Sequence, residues 1–165
     1  MKRMISMKIC VLGAGTWGCA LASLLAKNNN DVVLWSAIPS EIEALQKTGT
    51  HKNLPGAIMP VGIKYTDKIE IAMKDAELCL FVVPSQFIRS TAALIAPFVE
   101  DGQILVNASK GIESGSLMTM TEVISDELAR RGCTAEYYIA ALSGPTHAEE
   151  GAIGLPTSIV AACEG

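Results

Sequence analysis

Three observations predict an α/β fold with a mostly parallel, doubly wound sheet and helices on both faces. Short apolar runs rich in β-branched residues alternate with amphipathic helical patterns, the runs are continuously apolar, and a glycine-rich turn joins the first run to the first helix. Strands covered on both faces need continuous apolar runs, and strand–helix alternation builds right-handed βαβ units that close into such a sheet. The chain has 165 residues, 50% hydrophobic and 18% charged. That is one domain, residues 1–165 with its folded core from Met7 onward, and it is too apolar to be disordered.

The elements follow in order. Lys8 to Leu12 (KICVL) is the first strand. After it, Trp17, Ala20, Leu21, Leu24 and Leu25 fall at i, i+3, i+4, i+7 and i+8, the apolar face of a helix. Asp31 to Trp35 is the second strand, and Ser40 to Lys47 a helix carrying Ile42 and Leu45. The stretch 49–62, with Pro55, Gly56 and Pro60, is irregular and reads as a surface connection able to touch a ligand or a partner domain. Leu78 to Val83, Gln103 to Asn107 and Tyr137 to Leu142 are further strands. Between them, Phe87 to Phe98 places Phe87, Ile88, Thr91, Ile95 and Phe98 on one helix face, with Pro97 marking its end. Leu117 to Arg130 does the same with Leu117, Met120, Ile124 and Leu128.

Composition excludes several functional classes. Lys and Arg number 13 against 17 acidic residues, a net charge of −4, and no basic run exceeds two residues. Nucleic acid as a partner needs a basic face, so it is not expected. Five cysteines, Cys10, Cys19, Cys79, Cys133 and Cys163, are dispersed without a C-x-x-C pair. They read as reduced core thiols of a cytoplasmic protein, with neither a disulfide framework nor a metal site. The uncharged stretch from Ile9 to Ala26 follows Lys2, Arg3 and Lys8 and superficially resembles an export signal or membrane anchor. Its glycines and its amphipathic periodicity argue against both, so no membrane association is expected.

Gly13-Ala14-Gly15-Thr16-Trp17-Gly18 is a G-x-G-x-x-G placed between the first strand and the first helix, with a second strand following. In that context it is the fingerprint of a Rossmann-type dinucleotide site. Gly13 permits the tight turn, Gly15 lets a pyrophosphate approach the backbone, and Gly18 lets the helix lie close on the strand. The helix N-terminus around Thr16 and Trp17 then supplies unpaired N–H groups for an anion. The alternative is that the glycines serve packing alone. An acidic residue at the end of the second strand would bind the ribose hydroxyls, but that strand ends Leu34-Trp35-Ser36-Ala37. Neither a carboxylate nor an arginine stands there, so NAD or NADP remains open; Ser36 and Ser40 can only donate weak hydrogen bonds.

Two later segments also lie just past strands, where ligands bind in open α/β sheets. Asn107-Ala108-Ser109-Lys110-Gly111-Ile112 sets an ammonium where it can hold a substrate hydroxyl or carbonyl and support developing negative charge; otherwise Lys110 is an ordinary solvated lysine. Pro84-Ser85-Gln86-Phe87 follows another strand, where Phe87 packs either on the cofactor or, as periodicity alone favours, in the helix core. In Ser143-Gly144-Pro145-Thr146-His147-Ala148-Glu149-Glu150, Ser143 with Thr146 or Thr146 with Glu149 can cap a helix start and offer another anion site. Histidine as a residue type suits acid–base chemistry, but a lone His147 beside two glutamates reads as a surface helix residue.

Together, GAGTWGCALA (Gly13 to Ala22), VVLW (Val32 to Trp35), FVVPSQF (Phe81 to Phe87), SKGIE (Ser109 to Glu113), SGPTHAEE (Ser143 to Glu150) and LPT (Leu155 to Thr157) resemble the N-terminal half of bacterial NAD(P)-dependent glycerol-3-phosphate dehydrogenases. The resemblance covers the chain from Met7 onward and implies hydride transfer between the cofactor and dihydroxyacetone phosphate or sn-glycerol 3-phosphate, which feeds glycerophospholipid synthesis. It implies that Gly13, Gly15, Thr16, Trp17 and Gly18 hold the pyrophosphate and that Phe87 and Ala148 line the cofactor site. Lys110 would contact cofactor and substrate, and Gly144 and Thr146 the substrate. Thr16 keeps the hydroxyl of the family's more usual serine. Ala37 stands where bacterial members often carry a basic or polar residue on the adenosine side, so NADP use is the least secure property carried over.

The same resemblance places the proton-transfer lysine and the phosphate clamp in a helical C-terminal domain beyond Gly165, so no catalytic residue is expected in this chain and little turnover from it alone. A homodimer of the full-length protein is compatible with it. Surface meant for that C-terminal domain would account for part of the apolar surplus. Two other readings explain the glycines: a non-catalytic dinucleotide-sensing module, and a related dehydrogenase for 3-hydroxyacyl or ketopantoate substrates. Neither gives a reason for SKGIE and SGPTHAEE.

Overall fold

A computed structural model of the chain describes residues 6–54, 56–144 and 158–163. Among these residues seven strands form one sheet: β1 (Lys8–Leu12), β2 (Asp31–Trp35), β3 (Lys64–Thr66), β4 (Leu78–Phe81), β5 (Ile104–Asn107), β6 (Tyr138–Ser143) and β7 (Val160–Cys163). Their order is β3-β2-β1-β4-β5-β6-β7. All neighbours run parallel except the β6–β7 pair, which is antiparallel. The order reverses between β1 and β4, the topological switch point at which open α/β sheets bind ligands.

Alternate residues of the central strands face opposite ways, and both faces are dry. Ile9, Val11, Val32, Leu34 and Leu80 pack with Cys19, Leu21 and Ala22 of α1 (Thr16–Lys27) on one side. Cys10, Leu12, Val33, Cys79 and Phe81 pack on the other against α4 (Ile88–Ile95) and α5 (Met120–Arg130). This two-sided burial is the physical reason for the continuous apolar runs. Two further helices, α2 (Pro39–Thr48) and α3 (Ile69–Met73), flank β3 in the chain. No helix among the described residues is long and apolar enough to cross a membrane.

Several expectations need correction. The Leu78 to Val83 run ends as a strand at Phe81, after which the chain turns into a 3-10 turn at Ser85–Phe87. Phe87 therefore precedes α4 and is 49% exposed, outside the core to which periodicity assigned it. Leu24 is also exposed, because α1 buries the contiguous run Gly18 to Ser23 against the sheet instead of a narrow stripe. Leu117 lies outside α5, at φ 60° and exposed; the helix starts after Thr119, whose hydroxyl and Glu122 form a reciprocal capping box. Of the expected core thiols, Cys10, Cys19 and Cys79 are buried, whereas Cys133 is half-buried and Cys163 exposed on β7. In the 49–62 connection, Leu54 and Met59 enter the core and the Met59 amide donates to the Gly49 carbonyl at 2.8 Å, so the loop closes on the end of α2 and packs inward.

Candidate dinucleotide site

The glycine turn leaves β1 at the switch point. The Gly13 amide donates to the Trp35 carbonyl at 2.9 Å, fixing the turn to the end of β2. Gly13 has φ +123°, and a Cβ there would sit 2.8 Å from the Val82 carbonyl oxygen. Both the left-handed backbone and the close approach require glycine. A Cβ on buried Gly18 would collide with the Gly13 carbonyl oxygen, so the helix packs on the turn itself and only distantly on Val82 past the end of β4. Gly15 is different: it has extended backbone at the N-cap of α1, with open space where a side chain would stand. Among the described residues no side chain caps α1, and no acidic residue occupies its first turn. The amides of Thr16, Trp17 and Gly18 are therefore left for an anion, with the positive end of the helix dipole behind them.

In front of this turn lies a cleft of about 320 Å³. Its walls are Gly13 to Gly15, the β2 end from Trp35 to Ile38, Glu41 of α2, Val82 to Pro84, Phe87, and Ser90, Thr91 and Leu94 of α4. The walls are mainly apolar, and Ile38, Phe87 and Leu94 are each about half exposed to it, at 52%, 49% and 47%. Such a cleft, apolar with a polar turn at one end, suits a flat heteroaromatic ring joined to a phosphate. Burial pushes the Cys19 thiol, beneath the turn in α1, up to about 12, with the Glu41 carboxylate adding to the effect. Cys19 is thus an inert packing group whose thiol donates to the Ala14 carbonyl at 3.4 Å.

Lys110 stands on the next loop, after β5. Asn107 shapes that loop: its side-chain amide donates to the Ser109 carbonyl at 2.9 Å, and its oxygen accepts from the Ser109 amide at 3.2 Å. The Ser109 hydroxyl donates to the Val83 carbonyl at 2.5 Å, joining this loop to the one bearing Phe87. Gly111, at φ +122°, lies against Ser85 of that loop. Lys110 itself is exposed, and its ammonium donates to the Gly144 carbonyl at the end of β6 at 3.3 Å.

Arg89, in the first turn of α4, ties the segment after Lys110 to α4 and α5. Its Nε and Nη2 donate to the two Glu113 oxygens at 2.7 Å each, and its Nη1 donates to Asp126 at 2.6 Å and Glu127 at 3.1 Å. A planar guanidinium is the group suited to this bidentate grip. Its hydrogen bonds, assisted by that from Ser116, bring the Glu113 carboxyl down to about 2. They also lower Asp126, while Glu127 is lowered first by Arg131 and then by Arg89. A larger, shallower hollow of about 640 Å³ opens beside the clamp, lined by Arg89, Glu113, Glu127, Arg130 and Arg131. Its charges are already paired with one another, Arg130 with Asp126 and Arg131 with Glu127, which leaves the apolar cleft as the better ligand site.

Gly13, Gly15 and Phe87 thus share one cleft, Thr16, Trp17 and Gly18 head the helix behind it, and Lys110 meets Gly144 one strand further along. Thr146 and Ala148 lie outside the described residues, as do His147 and the proposed capping pairs involving Thr146. Sequence reading missed Glu41 and Arg89. An acidic residue is expected at the end of the second strand and none stands there; the carboxylate lining the cleft, Glu41, comes from the first turn of α2, and Arg89 has no signal beyond its place two residues after Phe87. Among the described residues no group of His, Cys, Asp and Glu could hold a metal ion.

Comparisons with known proteins agree with one another. Residues 8–165 match the family described as NAD-dependent glycerol-3-phosphate dehydrogenase N-terminus. A glycerol-3-phosphate dehydrogenase of NAD(P)+ type from Lactobacillus delbrueckii subsp. bulgaricus is 52% identical over 157 residues, 95% of this chain and 47% of the relative. One from Agathobacter rectalis is 43% identical over 155 residues, 93% of this chain and 44% of the relative. The crystal structure of glycerol-3-phosphate dehydrogenase from Coxiella burnetii superposes with a TM-score of 0.87 at 29% identity, covering 97% of this chain and 47% of that one. The chain spans about half the length of the curated relatives it matches.

Proposed function

Because this chain belongs to the NAD-dependent glycerol-3-phosphate dehydrogenase family, whose N-terminal part it matches over residues 8–165, we propose that it binds a nicotinamide dinucleotide and presents it for hydride transfer between the nicotinamide and dihydroxyacetone phosphate or sn-glycerol 3-phosphate. The observation that carries this reading is the convergence of the uncapped α1 N-terminus, the apolar cleft and the Lys110 loop on the ends of β1, β4 and β5. The residues fit the cofactor: Gly15 leaves space for a pyrophosphate and the α1 amides face it.

When bound, the nicotinamide supplies or accepts the hydride; the chain contributes orientation and electrostatics. Thr16, Trp17 and Gly18 hold the pyrophosphate through their amides. Phe87, at the mouth of the cleft, covers the cofactor and excludes water. Lys110 donates a hydrogen bond to the substrate oxygen on which negative charge develops during reduction; the family resemblance assigns substrate contacts to Gly144 and Thr146 and cofactor contact to Ala148. The proton-transfer lysine and the phosphate clamp are assigned to the part of the relatives' length that this chain does not span. A cytoplasmic location, pairing of full-length copies and supply of glycerol 3-phosphate to glycerophospholipid synthesis belong to the same proposal and rest on the family resemblance.

The test is a titration of the chain with NADH, followed by reduced-nicotinamide fluorescence with AMP as competitor. Saturable binding at one site, displaced by AMP, is expected. Absence of binding would overturn the proposal.

A further inference from the structure

We infer that Glu41 grips the ribose hydroxyls of the adenosine moiety and makes this site select NAD(H) over NADP(H). The inference rests on the proposed dinucleotide site. The end of β2 is where a carboxylate ordinarily binds the two ribose hydroxyls, and here the strand runs out in Ser36 and Ala37. The fold supplies the carboxylate by another route. Pro39 opens α2, and the first turn of this helix carries Glu41 back to the strand end.

Its position is fixed there. The Ser36 hydroxyl donates to Glu41 Oε2 at 2.6 Å, and accepts from the Ile38 amide at 3.1 Å, so the serine is committed on both sides. Glu41 is half-buried, and its second oxygen, Oε1, has no hydrogen-bond partner among the described residues. One carboxylate oxygen is anchored and the other is left to accept from a ligand hydroxyl. Beside it, Ile38 and Leu94 expose apolar surface into the same cleft, as an adenine ring requires.

The charge balance decides the preference. Among the described residues lining this cleft, Glu41 is the sole ionisable side chain, with neither Lys nor Arg beside it. A 2′-hydroxyl can donate to the carboxylate, a charge-assisted hydrogen bond stronger than a neutral one. A 2′-phosphate in the same place brings negative charge against the carboxylate, has no donor to offer it, and finds no cation in the cleft. The expected discrimination is about tenfold or more in favour of NADH, since the favoured ligand gains a hydrogen bond and the other meets repulsion.

The experiment measures dissociation constants of the chain for NADH and NADPH by fluorescence, and for AMP and adenosine 2′,5′-bisphosphate by competition, with Glu41→Gln and Glu41→Ala in parallel. Thermal melts confirm that each variant is folded. NADH and AMP should bind about tenfold or more tightly than their 2′-phosphorylated counterparts, and both variants should narrow that ratio at least threefold. The isosteric Gln removes charge while keeping shape, and Ala removes both, so either variant alone can decide. Equal or tighter binding of NADPH to the natural chain would overturn the inference while leaving the dinucleotide site standing. A preference unchanged in the folded variants would overturn Glu41 as its cause. Loss of all four ligands from the natural chain would overturn the dinucleotide reading itself, and the inference with it.

Discussion

The β1–β2–β4 part of the sheet and its β6–β7 end are held by different forces. In β1 and β2 every residue after the first is buried, and β4 is the same, because helices cover both faces. β6 is half-buried through its middle, and all four residues of β7 are exposed. The cleft before the glycine turn is consequently built on dry packing, its walls fixed by the ends of buried strands. Lys110 and Gly144 lie toward the other end, where an Asn107 turn and the Arg89 clamp give the loop its shape instead of a core. The proposed function divides along the same line, with dinucleotide binding assigned to the first region and substrate contact to the polar groups of the second.

The sharpest way to break the first region is Gly18→Val. Its side chain would strike the Gly13 carbonyl oxygen, and neither the turn nor the helix can yield without disturbing buried β1. A loss on the order of 3 kcal/mol is expected, with dinucleotide binding abolished. Thermal denaturation and NADH titration check this, and an unchanged melting temperature would contradict the packing argument.

The second region should break locally. Arg89→Leu leaves Glu113, Asp126 and Glu127 facing one another without their shared cation. Amide exchange in 109–113 should accelerate roughly tenfold or more, while amides of Cys10 to Leu12 keep their protection. Uniform acceleration through both regions would show that the clamp supports the whole fold.

Acid provides a milder probe of the same clamp. The Glu113 carboxyl titrates near 2 in the folded chain against its ordinary 4.5, so the unfolded chain binds the proton first. Its contribution to stability is complete above about pH 4.5 and is lost as pH falls toward 2. Urea midpoints at pH 6 and pH 3 should differ less in Glu113→Gln than in the natural chain.

The smallest structural effect belongs to Lys110→Ala. The side chain is exposed and its one described hydrogen bond is 3.3 Å long, so stability should shift by no more than about 0.5 kcal/mol. NADH affinity should fall only a few-fold, roughly the worth of one hydrogen bond. A large loss of stability would show that Lys110 is a structural residue.

The same division explains what was legible in the sequence. KICVL and DVVLW could be bounded to the residue because a charged residue, Lys8 or Asp31, opens each run and Gly13 or Ser36 follows it, whereas in LCLFVV the apolar run continues past Phe81, where the strand ends. β3 carries exposed Lys64 in only three residues, and β7 is a short run of small residues at an exposed edge; neither has a period to detect. The start of α5 was misplaced because Leu117 continues the apolar period, while the capping signal Thr119-x-x-Glu122 marks the true start. The glycine turn was readable since its backbone demands are local. Glu41 and Arg89 were not, because their roles come from what the fold brings beside them: Ser36 across a turn in one case, Glu113 across two loops in the other.

Binding in the first region is the claim on which the rest depends. It is tested most directly by mapping amide chemical-shift changes in the isotopically labelled chain on addition of NADH. The account predicts shifts concentrated in 13–18, 36–41 and 85–87, with smaller ones at 109–111. Shifts confined to α5 and β7, or none at saturating NADH, would contradict it.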